Sequence, residues 1–460
     1  MTQLWGDTLA QEMSQAAFSD RRLRARLGNL VEKLLPQPDR SFPKALSKSE
    51  LEAAYRFFGN HLVSPDGVLS GHYAAVRERA AAEGTVLCVH DTTKCSFRED
   101  GHREGLGRVM KSGQAFFVHC TLALSADASL TPLGVVALTP WARIEEADGR
   151  ERARWGAHVS LAEQRLSGAS VIHLMDREGD GFALIAQLIA GSHRFVIRSM
   201  HDRMLEPASA GGARKLYEAT ATLTCEVAKE AKLSKRVEGK RSPKQKKIHP
   251  ARSKRNAHLS VAATTVTLLR PRTESDDHAE SLTVNVVRVW ETTPPEGEPG
   301  VEWTLLTTEA IDTPEAILRV VELYRARWTI EEYFKALKTG CAFEARQLGD
   351  YESLVNALAL FAPIACQLLL IRSCAKRTPD APASEVVSDE QIEILRAIGR
   401  IPLPANPTVR EIFLAIAAIG GHIKYAPDPG WLTLARGFAD LRAAQIGWRA
   451  AKLQSACDQR

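Results

Sequence analysis

The chain has no C-x-x-C pair and no histidine at zinc-site spacing from a cysteine, although it carries eight cysteines. Cys88, Cys95, Cys120, Cys225, Cys341, Cys366, Cys374 and Cys457 are scattered. That pattern argues against a zinc ribbon or a disulfide framework and predicts reduced thiols in a cytoplasmic protein. The opening residues MTQLWGDTLAQEMSQ lack a basic stretch followed by an apolar run, so export is not expected. Long hydrophobic runs are equally scarce. The most apolar segment, Leu354 to Ile371, is interrupted by Asn356, Pro363 and Gln367, which predicts a buried core helix rather than a membrane span. Nor is there an excess of one charge: 60 Lys and Arg against 55 Asp and Glu leave a net +5, so only clustering of the basic residues can point to a polyanion.

What is present, over 460 residues, is enough chain for two to four modules. Residues 5 to 80 read as helical. Trp5, Leu9, Met13 and Ala17 share a face, and Asp20 is placed to cap a basic helix in which Leu23, Leu27, Leu30 and Leu34 form the buried stripe. Arg21, Arg22, Arg24 and Arg26 stand on that helix. They are either an ordinary solvated face or contacts to DNA phosphates and base edges. A further helix, Ser49 to Asn60, offers Leu51, Ala54, Tyr55 and Phe58 to the same small core.

From residue 85 the period changes. Thr85-Val86-Leu87-Cys88-Val89-His90 is a continuous β-rich run that ends on Asp91-Thr92-Thr93, as expected of a buried strand with an acid at its tip. Ser170 to Met175 is a second such run, ending on Asp176-Arg177-Glu178-Gly179-Asp180, and Arg194 to Arg198 adds a strand beside it. Two strand-end aspartates predict carboxylates at one edge of a sheet, where open α/β sheets bind ligands. Either acid alone reads as a turn or helix cap. Residues 200 to 310 break the pattern with alternating strands at 259–268, 282–290 and 302–307, which predicts a β-rich insertion. Within it, Lys229 to Arg255 is a basic run expected to be a solvated loop contacting phosphates.

The stretch Val321 to Lys338, VELYRARWTIEEYFKALK, organises the rest. On one continuous helix at about 100° per residue, Tyr324, Arg327, Glu331 and Lys338 fall within roughly 60° of each other. A carboxylate is then held among cations, which suits a metal-binding Glu331 working on a phosphate, although Arg327 and Glu331 alone are also an ordinary i,i+4 pair. Three acids supply the hard oxygen ligands that Mg²⁺ prefers, and two such ions about 4 Å apart can serve phosphoryl transfer without a covalent protein nucleophile. The tail beyond Ser384 is helical. Its apolar faces either close the core or meet another protein.

These residues resemble the bacterial DDE transposases of the insertion-sequence-four family, close to the transposon-five type. The Y-(2)-R-(3)-E-(6)-K signature of that family is matched by Tyr324, Arg327, Glu331 and Lys338. His90-Asp91-Thr92-Thr93 and Asp176-Arg177-Glu178 with Asp180 resemble its first two acidic motifs. Asp20-Arg21-Arg22, with Ala54-Tyr55-Arg56-Phe57 and Asn60, resembles its end-binding domain, and Gly430-Trp431 with Leu434 and Gly437 its C-terminal region.

The resemblance implies an α/β ribonuclease-H-like catalytic core, residues 81–375, interrupted by a β-rich insertion at about 200–310. A helical DNA-end-binding domain, residues 1–80, precedes it, and a helical dimerisation region, residues 376–460, follows. It further implies Asp91, Asp176 and Glu331 as catalytic metal ligands for Mg²⁺, or alternatively Mn²⁺. Tyr324, Arg327, Lys338, Arg198, Trp303 and the four N-terminal arginines would contact DNA. Arg198 would lie near phosphates at a hairpin and Trp303 by a flipped base, although its strand position alone reads as core. The activity implied is cut-and-paste transposition in a synaptic homodimer holding double-stranded DNA, the terminal inverted repeats and a target. A nuclease without strand transfer would share the acids; a non-catalytic repressor would need only the basic N-terminal module.

Overall fold

The computed structural model describes residues 8–97, 102–108, 113–142, 150–236, 251–423 and 428–458; Trp5 and basic residues 237–250 lie outside them. The chain forms two compact units, residues 1–170 with 328–460, and residues 171–327.

In the first unit, α1 (Thr8–Ser14) buries Leu9 and Met13 and stops early, so that Ala16 and Phe18, not Ala17, turn inward. Asp20 caps α2 (Arg21–Leu34) by accepting the Arg22 N–H at 2.8 Å. Leu27, Leu30 and Leu34 are buried as expected, joined by Val31, while Leu23 is half-buried. A short α3 (Phe42–Ala45) leads to α4 (Lys48–Phe58), whose start is fixed by a reciprocal Ser47–Glu50 capping box. Phe57 joins Ala54 and Phe58 in the core, and Tyr55 is exposed. The sequence had suggested Tyr55 inside; the actual buried stripe runs one helical step round. α5 (Pro65–Glu83) starts at its proline, where the missing N–H costs nothing. It carries Gly71 against α1, where an added Cβ would stand 2.1 Å from the Glu12 carbonyl oxygen.

Three long antiparallel strands follow. β1 (Thr85–Phe97) pairs with β3 (Gln114–Ser125), and β3 with β4 (Pro132–Trp141); short β2 (Gly107–Arg108) joins the start of β3. α6 (Arg150–Arg165) packs on all three long strands. The same unit resumes after the second with α10 (Thr329–Lys335), which packs on β1, and α11 (Tyr351–Arg377). α11 has the length and apolarity of a membrane span, yet 94% of its most apolar window is buried within the protein, as the interrupted run predicted. In the tail, α12 (Asp389–Ile398) and α13 (Val409–Ile419) pack on α14 (Trp431–Asp458), and Gly437 permits an approach that would put a Cβ 1.8 Å from the Ile416 carbonyl oxygen. Ile412, Ala415, Ile416, Trp431, Leu434 and Leu441 are buried, so these faces close a core.

Arg346 ties the N-terminal helices to the chain after α10. Its buried guanidinium donates to the carbonyls of Pro38 and Arg40, and to that of Cys341 at 2.6 Å. It lies 4.2 Å from the Phe361 ring centroid and 5.2 Å from that of Phe42. Burial pushes its pKa down to about 10.

The second unit is one sheet ordered β5-β6-β10-β9-β8-β7. β5 (Ser170–Met175) and β6 (Arg194–Arg198) are parallel, linked through α7 (Phe182–Ala190). β10 (Glu302–Thr307) then pairs antiparallel with β6, and β9 (Ser281–Glu291), β8 (Arg255–Leu269) and β7 (Val227–Leu233) continue the sheet outward. The three strands expected between 200 and 310 are all present, and they extend β6 edge to edge. β7 is an addition, because Lys229 to Leu233 was expected to be loop. Its alternation of half-buried and exposed residues is that of an edge strand, where exposed charges such as Glu230 and Lys232 guard the open edge. α8 (Leu216–Ala221) precedes β7, and α9 (Pro314–Ala326), capped by Thr313, packs on β6, β8 and β9.

Candidate active site

The expected catalytic helix is not continuous. α9 ends at Ala326, Arg327 and Trp328 form a turn, and the boundary between the two units falls between them. The backbone tightens there: the Arg327 N–H bonds the Tyr324 carbonyl three residues back, at 3.1 Å, and the Glu331 N–H the Trp328 carbonyl, at 3.2 Å. After α10 the residues Ala336–Gly340 widen into a π turn, closed by the Cys341 N–H to the Ala336 carbonyl at 2.8 Å. Such wide turns recur at functional sites. Tyr324 and Arg327 therefore belong to the second unit, and Glu331 and Lys338 to the first, so the single helical face expected of the four is interrupted.

In the first unit Asp91 is not at a strand end. β1 continues to Phe97 in unbroken register with β3, because Thr92, Thr93 and the following residues keep their ladder partners. What ends at Asp91 is two-sided burial: Val86 to His90 are all buried, and beyond them exposure alternates. The acid marks the point where β1 emerges, which gave the same sequence signal as a tip. Its Oδ1 accepts the Thr92 N–H at 2.7 Å. Glu331 stands half-buried in the first turn of α10, the helix packed on β1. Lys338 Nζ donates to the Lys94 carbonyl at 2.7 Å and lies 3.8 Å from the Glu344 carboxylate, which accepts the Ser96 N–H at 2.9 Å. Lys338 and Glu344 thus seat the chain after α10 on the outer half of β1.

In the second unit Asp176 does stand just past β5, capping a single 3₁₀ turn, with its Oδ1 accepting the Glu178 N–H at 2.8 Å. Arg198 ends β6 and donates to the Glu302 carbonyl at 3.0 Å. Its guanidinium lies beside the Tyr324 hydroxyl; burial lowers the Arg198 pKa, and neighbouring Arg177 and Arg327 lower it further. Burial likewise raises the Tyr324 pKa, with Arg327 and Arg198 opposing and Asp176 adding to the rise, so its phenol stays protonated. Trp303 meets Tyr324 edge-on, ring centroids 5.4 Å apart, and Arg327 lies 6.0 Å from the Tyr324 centroid. Trp303 is half-buried, whereas Tyr324 and Arg327 are buried. One acid, three arginines, a phenol and an indole form an anion-receptive cluster next to a flat aromatic face.

Two family models match the chain: the transposase DNA-binding family over residues 6–63, and the transposase DDE domain over residues 171–364. The chain carries a DDE transposase domain. It is an enzyme of phosphoryl transfer on DNA, preceded by a transposase DNA-binding domain. The DDE match includes Asp176, Arg198, Trp303, Tyr324, Arg327, Glu331 and Lys338, while Asp91 lies ahead of it. The DNA-binding match includes Arg21, Arg22, Arg24 and Arg26. On α2, Arg21, Arg22 and Arg24 are exposed and Arg26 half-buried; Arg24 donates to the Phe18 carbonyl at 3.1 Å and Arg26 to that of Ala53 at 3.5 Å. Among solved structures, a piggyBac transposase synaptic complex with hairpin DNA is similar over 81% of this chain and 74% of that one. Its identity is 8% and its TM-score 0.36, too loose a likeness to support any step of the argument.

Around Asp91 the transposase holds a buried polar layer that sequence reasoning missed. His90, His119 and His158 bring ring nitrogens within 4.8 Å of one another, a spacing that invites a metal. Threonine hydroxyls already occupy several of these nitrogens. Thr121 Oγ1 sits between two of the rings, 3.0 Å from His90 Nδ1 and 2.8 Å from His158 Nδ1, and the other His158 nitrogen bonds Thr139 Oγ1 at 2.8 Å. Thr92 Oγ1 bonds His119 Nδ1 at 2.9 Å. His90, Thr121, His158 and Thr139 therefore form one hydrogen-bonded chain, and Thr92 with His119 a separate pair in which the buried His119 Nε2 has no hydrogen-bond partner among the described residues. Burial lowers the pKa values of His119 and His158, the latter to about 3, so both are neutral.

Proposed function

We propose that this transposase moves its own insertion sequence by cut-and-paste transposition, with Asp91, Asp176 and Glu331 as the joint ligands of divalent ions on a ribonuclease-H-like core. The observation that carries the reading is the Asp176 cluster: a carboxylate just past a buried parallel strand, in the same unit as Arg198, Arg327, Tyr324 and Trp303. Bound Mg²⁺ or Mn²⁺ would activate the attacking oxygen and stabilise the leaving one. The chain's own residues then orient the DNA. Arg198 and Arg327 grip phosphates by fork-like hydrogen bonds, protonated Tyr324 donates to a phosphate oxygen, and Lys338 braces the metal-binding helix on β1.

Successive steps would nick one strand, form and open a hairpin, and join the freed 3′ ends to target DNA, within a homodimer that holds both inverted repeats. The functional division would be residues 1–80 for end binding, 81–375 for catalysis with the strands of 200–310 inserted, and 376–460 for dimerisation, acting on DNA in the cytoplasm. A plasmid carrying the gene with its flanking DNA, incubated with purified protein, tests the reading. Asp91→Asn, Asp176→Asn and Glu331→Gln keep shape and remove charge, so each is expected to bind end DNA normally and to lose Mg²⁺-dependent nicking. Normal nicking by any of the three removes that residue from the ligand set.

A further inference from the structure

We propose that Asp180 is a positioning residue for phosphoryl transfer, locking the tips of β5 and β6 together so that Asp176 and Arg198 address one phosphodiester. The proposal rests on the reading of Asp176 as a metal ligand. The Asp180 carboxylate is fully buried, and five donors converge on it. Oδ2 accepts the Met200 N–H at 2.6 Å and the His201 N–H at 2.9 Å, and the Ser199 hydroxyl, 3.3 Å away, shares its hydrogen between Oδ2 and the His201 carbonyl at 3.1 Å. Oδ1 accepts Arg203 Nε at 3.2 Å and Nη2 at 2.5 Å, and the same Nη2 reaches the Asp180 carbonyl at 2.8 Å. Arg203 is 7% exposed, so the pair is a salt bridge sealed from water.

Its position gives the pair its meaning. Asp180 closes the 3₁₀ turn that Asp176 opens, its N–H bonding the Arg177 carbonyl at 3.2 Å. Everything it grips on the other side, from Ser199 to Arg203, follows Arg198 directly. One carboxylate thus fixes both the turn carrying the proposed ligand and the segment leaving the phosphate-binding arginine. Stability alone gives little reason for it, because desolvating a carboxylate and a guanidinium offsets most of their attraction, and apolar replacements of such pairs are often as stable. What an apolar pair cannot supply is the directional bonding of five donors to one group, which sets the distance between two loop tips.

The test uses the full-length protein and a supercoiled plasmid carrying the gene with its flanking DNA, with nicking followed through Mg²⁺ and Mn²⁺ titrations. Asp180→Asn keeps the shape but weakens the clasp. Arg203→Lys keeps the charge and loses the fork. The double variant Asp180→Leu with Arg203→Met restores a dry apolar contact. All three are expected to bind end DNA like the wild type and to nick roughly 100-fold more slowly, the penalty of a misplacement near 1 Å, with a raised metal half-saturation. The double variant is expected to regain the melting temperature lost by Asp180→Asn without regaining nicking. A folded double variant with wild-type nicking and metal half-saturation overturns the proposal and leaves a structural salt bridge. Asp176→Asn run in parallel separates the two ideas: if it nicks normally, the reading of Asp176 fails, whereas if it is inactive while the Asp180 variants are normal, only the positioning role fails.

Discussion

Trp303 is neither a core residue nor a free surface one: half-buried, it presents an edge-on contact to Tyr324 one strand away from Arg198. A hairpin bends one strand so sharply that a base must leave the stack, and an indole face can offset the few kcal/mol of unstacking. If Trp303 serves so, Trp303→Ala keeps its melting temperature, makes the first nick at the wild-type rate and accumulates nicked DNA in a gel-based time course. A melting temperature several degrees lower, with every step slowed together, assigns it to packing instead. At this scale the sequence was informative where an acid sits at the end of a burial pattern. Asp176 was legible because five buried residues precede it, and Asp91 for the same reason although its strand runs on. Arg203 was not legible, because its partner Asp180 lies 23 residues away and no local period connects them.

Among the elements, strands were read more securely than the helix that matters most. Buried β runs declare themselves by composition, whereas the turn at Arg327–Trp328 and the π turn after Lys335 arise from backbone bonding that no residue type there announces. Helix α6 carries an equally silent feature, the burial of His158 against β3 and β4. Its folded pKa, about 3, lies below the ordinary 6.5, and the His119 and His72 rings are shifted down in the same direction, burial being the main cause in each. Below about pH 6.5 the unfolded chain takes up protons that the folded imidazoles refuse. The stabilisation is therefore complete above that pH and is lost progressively as pH falls towards 3. Urea midpoints measured from pH 7.5 to pH 5 are expected to fall, and His158→Phe should flatten the fall. A midpoint independent of pH over that range contradicts the assignment.

For the whole molecule, we propose that two basic regions divide the work of holding DNA. The arginines of α2 lie within the DNA-binding match, and Lys229 to Arg255 begins on edge strand β7. Base-edge contacts discriminate sequence, whereas phosphate contacts weaken steeply with salt and do not. Neutralising lysines and arginines of the second run is expected to lower affinity for end DNA and random DNA alike and to flatten the salt dependence in competition binding. A loss confined to end DNA would reverse the two assignments. The N-terminal module is itself fastened to the chain beyond α10 by Arg346, a buried cation held by backbone carbonyls from both sides. A guanidinium whose acceptors are main-chain atoms of another segment tolerates change in that segment's side chains but not loss of its path. If α2 reads transposon ends, point substitutions along it leave the Arg346 acceptors in place, whereas a replacement module whose chain takes another path past Pro38 and Arg40 takes two of them away.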